Sequence, residues 1–432
     1  MRIGFIILDR NPTTEFSDNL LEYQCDAVHL GIGYIAAFAQ RNIAHCECQV
    51  LRTSDSSLLD ILKFLDAGWD LIGMTSSLFS LSEATQISNM SKSIGQTKIV
   101  IGGPEVSTLQ EKIFDVCTSI DYAIYGEGEI TFVELIRCIK HRGGFEKVDG
   151  LIFRNESGII IKNGPRRFED NLEIFPYPDR QLFKYDHAYH SIIGTRGCPF
   201  RCSFCNSTHI WGSQYRMRKP ISVIKEIEYI LKLYGKEKLF IFQDDTFNFN
   251  EKWTIELCEM IKELKIAWRI RGVRASLITE EIAEIVAESG CIGIACGVES
   301  ANDLSLHVMN KKTTINGIVK GVNMLKNKGV HVVGNFMIGN LGDTFDTVKE
   351  SLEYAHMFTQ ADFRITYPMM NTYLYDYLTS NNLFLPEPIP IIYKESIVGR
   401  ILFATPEFSV DERIEAINLA LKAKLLHNVE YD

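Results

Sequence analysis

The 432-residue sequence has no hydrophobic run long enough to cross a bilayer, which takes roughly 18 apolar residues. It lacks a basic surplus as well: 45 Lys and Arg stand against 55 Asp and Glu, a net charge of −10. A general nucleic-acid binder shows the opposite balance, so that class is excluded. The short basic stretch Arg216-Met-Arg-Lys219 reads as local phosphate or carboxylate contacts, or as solvated charge. No leader-like segment is visible, because the apolar run Gly4 to Leu8 stops at Asp9-Arg10 in the manner of a strand. Paired-cysteine spacing is missing too. Cys25, Cys46, Cys48, Cys117, Cys138, Cys258, Cys291 and Cys296 are scattered through apolar patterns and read as buried thiols, not disulfides. The expectation is a cytoplasmic protein with no nucleic-acid partner and no membrane insertion. Its 46% hydrophobic content is that of an ordinary globular chain, and its length predicts two domains plus a tail.

What is present is a cysteine run, Cys198-Pro-Phe-Arg-Cys202-Ser-Phe-Cys205. Three thiols at C-x3-C-x2-C spacing can reach three corners of one iron–sulfur cluster. Cubanes are usually held by four cysteines, so a triplet with no fourth nearby leaves one iron open. The bland alternatives are a zinc knuckle or three unrelated core thiols. With Phe204 before the last cysteine and Gly194-Thr195-Arg196-Gly197 ahead of the first, the run resembles the radical S-adenosylmethionine (SAM) signature. That resemblance implies a [4Fe–4S] cluster on Cys198, Cys202 and Cys205, with SAM on the open iron. One electron from a low-potential donor such as flavodoxin or ferredoxin then cleaves SAM to a 5′-deoxyadenosyl radical.

Residues 1–143 alternate short β-rich runs with amphipathic segments, which predicts a parallel doubly wound sheet with ligands at the carboxyl ends of its strands. One of the expected helices covers Leu109–Val116. Three loops after strands carry candidate binding residues: Thr75-Ser76-Ser77, Gly102-Gly103-Pro104-Glu105 and Gly126-Glu127-Gly128-Glu129. Glycines there let backbone approach a bulky ligand, and hydroxyls can bond a polar tail. Taken singly, such glycines are ordinary turns. Together they resemble the Rossmann-like cobalamin-binding domain fused in front of many radical SAM enzymes, which implies cobalamin as a third cofactor. The Asp-x-His-x-x-Gly motif of methionine-synthase-like proteins is absent. Asp26-Ala-Val-His29-Leu-Gly31 has similar residues at the wrong spacing, so the resemblance implies no histidine beneath the cobalt.

Residues 144–190 read as a structured linker, a hairpin around Asn155-Glu-Ser-Gly158 followed by the extended Ile174-Phe-Pro-Tyr-Pro-Asp-Arg180. From 191 to 380 strand and helix alternate six times, matching the partial (β/α)6 barrel of the radical SAM fold, whose chemistry sits at the strands' carboxyl ends. Residues 381–432 form a short mixed or helical C-terminal region with a helix from about Val410 to Leu426, either a cap on the barrel or part of the substrate side.

Several barrel positions match family elements, and the resemblance implies SAM contacts there. They are Phe204, the strand-end residues Gln243, Asp244 and Asp245, then Arg271, Arg274 and Ser276, then Glu299, and finally Asn335, Met337 and Gly339. A structural carboxylate reads equally well for any one of Asp244, Asp245 or Glu299, since buried carboxylates need partners. Asp343 stands where relatives carry glutamate and serves as a helix N-cap candidate. Tyr373, Tyr375 and Tyr377 alternate in the way of ordinary half-buried packing; with Tyr367, an aromatic wall or a tyrosyl hydrogen donor is the other reading.

The resemblance implies methylation of an unactivated carbon of a small-molecule or natural-product substrate, through the deoxyadenosyl radical and methylcobalamin. The same architecture also runs rearrangement, cyclisation or oxidation. A methylthiotransferase would need a second cluster from Cys25, Cys46 or Cys48, and Cys117, and a non-catalytic cobalamin or redox sensor is the remaining alternative. A peptide substrate stays open, although the chain carries no recognisable peptide-recognition module.

Overall fold

The computed structural model describes residues 1–9, 29–77, 80–183, 189–235, 238–393, 396–423 and 425. They form two compact units, one of the described residues up to Phe183 with 209–211, the other of the remainder from Tyr189.

The first unit is a seven-stranded sheet of β1 (Arg2–Ile7), β2 (Glu47–Arg52), β3 (Leu71–Thr75), β4 (Lys98–Gly102), β5 (Tyr122–Ile124), β6 (Leu151–Arg154) and β7 (Ile160–Lys162) in the order β2-β1-β3-β4-β5-β6-β7. Its first five strands pair in parallel. Central β1 is buried on both faces, as parallel strands covered by helices must be. Phe5 packs on Phe132 of the helix Gly128–His141, while Ile6 joins the core of Ile61, Ile72 and Ile87 on the opposite face. The strand period of two makes that division. The hairpin β6–β7, expected to belong to a linker, pairs antiparallel with β5 and extends this sheet. A single helix over Leu109–Val116 does not form. Pro104 at the first helical turn starts a helix Pro104–Leu109, and Gln110 at φ 52° breaks it before Ile113–Val116.

The second unit holds six parallel strands, β8 (Tyr189–Ile192), β11 (Leu239–Phe242), β12 (Trp268–Val273), β13 (Cys291–Glu299), β14 (His331–Ile338) and β15 (Gln360–Ile365), neighbours in that order. Helices Pro220–Tyr234, Glu251–Leu264, Glu280–Glu288, Ile315–Asn327 and Phe345–Tyr354 connect them, giving the open β/α barrel. Its core includes Phe240, Phe242, Phe247 and Trp268, all buried. The short antiparallel pair β9 (Thr195–Arg196) and β10 (Arg216–Met217) brackets the cysteine run.

The end of the chain is mixed, as expected. Residues Tyr373–Ser380 are helical, so Tyr373 and Tyr377 stack one turn apart and the alternation is not a strand. A long antiparallel hairpin, β16 (Phe384–Tyr393) and β17 (Ser396–Phe403), precedes the final helix, which runs Val410–Lys422 from a Ser409–Glu412 capping box.

Candidate active site

The barrel site begins at the loop after β8. Asp244, at the end of β11, turns its carboxylate onto that loop, accepting from the Thr195 N–H at 2.5 Å, the Thr195 hydroxyl at 2.7 Å and the Gly194 N–H at 3.1 Å. Burial pushes this carboxyl up to about 7 against those three bonds. Asp244 therefore positions the cysteine loop. Asp245 is exposed and accepts from the Gly197 backbone, on the same loop. Gln243 is half-buried, its backbone N–H donating to Ile192 at 2.9 Å.

Cys198, Cys202 and Cys205 are all free thiols of intermediate exposure. The Thr246 hydroxyl donates to Cys198 Sγ at 3.1 Å, and the Ser207 N–H donates to Cys205 Sγ at 3.4 Å. Burial raises the Cys202 thiol and pushes Cys205 up to about 12, which a bound metal centre would reverse. Among the described residues no three His, Cys, Asp or Glu gather around a single-ion position. A cubane places each thiolate on a different iron, so the triplet's spacing fits a cluster better than one ion.

Arg274 lies with the thiols: its guanidinium bonds Cys202 and stacks on Phe200 at 3.7 Å. Asn248 fixes its backbone from both sides, accepting from Arg274 N–H at 2.9 Å and donating to Arg274 C=O at 3.0 Å. Ser276 follows on the turn Ala275–Leu277. Glu299 closes β13 at φ 68°, a strained backbone of the kind found at functional sites. Its carboxylate pairs with Lys311 Nζ at 2.7 Å, both groups nearly buried. Burial would lower the Lys311 pKa, but Glu299 and Cys202 together outweigh it and the value is raised. Nothing in the sequence marked Lys311, Thr246 or Asn248.

Inside the barrel lies a cavity of about 470 Å³. Phe204 lines it from the cysteine loop, with Arg271, Glu299, Asn335, Met337 and Tyr367. Gly339 stands just beyond β14 at φ 95°, its carbonyl accepting from Arg413 of the final helix at 3.0 Å. Asp343 does not cap the next helix; Thr344 does, with Thr347 completing a capping box. Asp343 instead accepts from Gly339 and Asn340 N–H at 3.0 and 2.8 Å and closes the turn.

In the first unit the three glycine and hydroxyl loops leave adjacent strands, β3, β4 and β5. Gly103 has φ 107°, and a Cβ there would sit 2.5 Å from Ser76 O and 2.8 Å from Thr75 Oγ1. The loops tie to each other: Ser76 N–H donates to Gly102 at 2.8 Å, and Gly126 N–H to the Ser107 hydroxyl at 2.9 Å. Ser77 is held by Ser80, Pro104 begins the helix carrying buried Glu105, and Glu127 caps the helix that starts at Gly128. Burial raises the Glu105 carboxyl. This cradle of backbone and hydroxyls fits a bulky polar ligand such as cobalamin. His29 serves as the N-cap of the helix Leu30–Asn42, its Nδ1 accepting from Ile32 at 3.3 Å, whereas Asp26 lies outside the described residues.

Residues 192–355 match the Radical SAM superfamily and residues 17–136 the B12 binding domain. The chain belongs to the cobalamin-binding radical SAM enzymes. The family's cofactors are its cofactors: a [4Fe–4S] cluster, SAM and cobalamin. An uncharacterized methyltransferase of Pyrococcus horikoshii is 29% identical over 82% of this chain and 79% of its own length. The anaerobic magnesium-protoporphyrin IX monomethyl ester cyclase of Rubrivivax gelatinosus is 24% identical over 75% of this chain, which spans 60% of it. The fold is that of the radical SAM methyltransferase TsrM of Kitasatospora setae, solved with tryptophan substrate and a SAM analogue. That match has a TM-score of 0.75 and 17% identity, and it covers 94% of this chain and 80% of TsrM. Of the cysteines named for a second cluster, Cys46 and Cys48 have their sulfurs 4.0 Å apart, Cys117 is buried beside Thr85, and Cys25 lies outside the described residues. Among those residues no helix is long and apolar enough to cross a membrane.

Proposed function

We propose that this enzyme methylates an unactivated carbon of a small molecule in the cytoplasm, drawing electrons from a flavodoxin- or ferredoxin-type donor. The supporting observation is that the cysteine loop opens, at Phe204, directly onto a barrel cavity large enough for a small molecule. When bound, the cluster with SAM supplies a radical that takes hydrogen from carbon, and cobalamin supplies the methyl group. Cys198, Cys202 and Cys205 would hold the cluster, with Thr246 bonding the first sulfur. Arg274, Ser276, Asn335, Met337, Gly339 and the Glu299–Lys311 pair would hold SAM at the strand ends. The loops at Thr75–Ser77, Gly102–Glu105 and Gly126–Gly128 would hold cobalamin. The barrel wall would hold the reacting carbon in place and shield it from side reactions. The methyltransferase likeness of the Pyrococcus horikoshii relative favours this reaction, and the cyclase likeness keeps a non-methylating oxidation as the second reading.

The test is anaerobic, cluster-reconstituted protein given hydroxocobalamin, SAM and a low-potential reductant, read by mass spectrometry. Both 5′-deoxyadenosine and S-adenosylhomocysteine are expected. Deoxyadenosine alone would move the reaction to the second reading, and neither product would overturn the enzymatic one.

A further inference from the structure

Each of the three thiols is met by a hydrogen-bond donor, and the three donors differ in kind. Cys198 Sγ accepts from the Thr246 hydroxyl at 3.1 Å, Cys202 from the Arg274 guanidinium, and Cys205 Sγ from the Ser207 backbone N–H at 3.4 Å. The first of these is set from the end of β11, where three consecutive residues grip the cysteine loop. Asp244 accepts from Gly194 and Thr195, Asp245 accepts from Gly197, and Thr246 donates to Cys198. Phe247 is fully buried and anchors this run. Its N–H donates to the Gly272 carbonyl at 3.0 Å, and its ring packs edge-on against Phe242 and Trp253. Gly272 stands at φ 69° and kinks β12; a Cβ there would sit 2.0 Å from Asp244 O, so the close approach requires glycine. The kink also parts two arginines: Arg271 before it lines the cavity, and Arg274 beyond it reaches the thiols. Thr246 is itself buried, and its branched side chain is stiff about χ1. A hydroxyl has one proton to give, and here a cysteine sulfur receives it.

We propose that Thr246 tunes the reduction potential of the cluster, as a side-chain donor to one of its three cysteine ligands. A sulfur that has lost its proton to ligate iron is a stronger acceptor than a thiol, so this bond gains strength once the cluster is bound. Reduction adds one electron to a centre whose ligands are half-buried. The hydroxyl dipole offsets that added charge, so the reduced form gains more from it than the oxidised form and the potential rises. Arg274 acts in the same sense but would also hold SAM, and the Ser207 donor is backbone. Thr246 is therefore the donor whose removal isolates the effect. The tuning holds whichever reaction the radical serves, so its failure and a failure of methyl transfer are separate results.

The experiment takes the anaerobic, cluster-reconstituted full chain with hydroxocobalamin bound and no SAM to consume the electron. The protein is poised at a series of potentials, and electron paramagnetic resonance reads the reduced cluster. Thr246→Val, similar in shape but without a hydroxyl, should bind iron at the wild-type level and be harder to reduce. Its ratio of reduced to oxidised cluster at a fixed potential should fall about threefold to tenfold, or about 30–60 mV for one electron. Thr246→Ser keeps the hydroxyl and should return most of that shift, which a packing role alone would not produce. An unchanged or raised potential in Thr246→Val, or a Ser variant that behaves like the Val one, would overturn the proposal. Where Thr246→Val takes up no cluster, Thr246→Ala removes the same hydroxyl with less bulk and carries the same expectation. Loss of iron from both variants would make Thr246 a structural residue and overturn the tuning role as well.

Discussion

The two halves of this protein prepare for ligands by different physics. The loops after β3, β4 and β5 offer backbone, hydroxyls and one absent side chain at Gly103. The barrel interior offers thiols, a buried ion pair and a cavity wall that includes Arg269, Arg271 and Arg364. A large ligand carrying many weak polar groups is held by shape and close approach, which glycine permits. A small charged ligand is held by a few strong, directional partners, which must be prevented from pairing with each other.

That contrast can be broken most severely at the cysteines. Replacing any one of Cys198, Cys202 or Cys205 by Ala should abolish cluster loading and reduce deoxyadenosine formation to background, while bound cobalamin stays at the wild-type level. Iron content and the visible spectrum measure the first, extracted cobalamin the second. The converse substitution is Gly103→Val, which forces a side chain into Ser76 and a β-branched residue into positive φ. It should cost on the order of 1–3 kcal/mol in strain and remove cobalamin binding, with reductive SAM cleavage by the barrel retained. Loss of both activities together would show that the two sites are not separable in this way.

Within the barrel, Arg413→Met sharpens the point about directional partners. Arg413 donates to Phe408 and Gly339 carbonyls at 3.0 Å each and sits over the Phe403 and Phe408 rings. Its loss should destabilise the protein by roughly 3 kcal/mol, through carbonyls left unpaired, and loosen the Gly339–Asp343 turn, seen as a raised KM for SAM.

The smallest effect concerns pH. Burial pushes the Asp343 carboxyl up to about 7 from its ordinary 3.8. The folded state thus keeps a proton that the unfolded chain releases. The stability from this group is full below about pH 4 and declines as pH rises toward 7. Asp343→Asn should flatten that part of the melting-temperature profile without reversing it.

The strand and helix alternation was legible throughout both halves, because periodicity is local and the buried parallel strands are short apolar runs. The final hairpin was not: Pro386, Pro388 and Pro390 argue against a strand, yet they fall in a two-stranded ribbon whose register shifts between Phe384 and Ile389. The tyrosine run misled because spacing of two over five residues also fits one helical turn and a half. Lys311 and Arg413 carried no signal, since each finds its partner 12 and 74 residues away.

By itself the sequence determined the cofactor chemistry and the order of elements. Thiols four and three residues apart are constrained by the covalent chain before any folding, and glycine and hydroxyl positions mark themselves locally. Tertiary structure alone decided the electrostatics of the barrel. Whether Asp244 serves the loop or a ligand, which arginine stands with the thiols and which faces the cavity, and how Glu299 is neutralised all depend on strand register and on a kink at Gly272. Charge pairing is a property of distances in space, and those distances exist only once the sheet has closed.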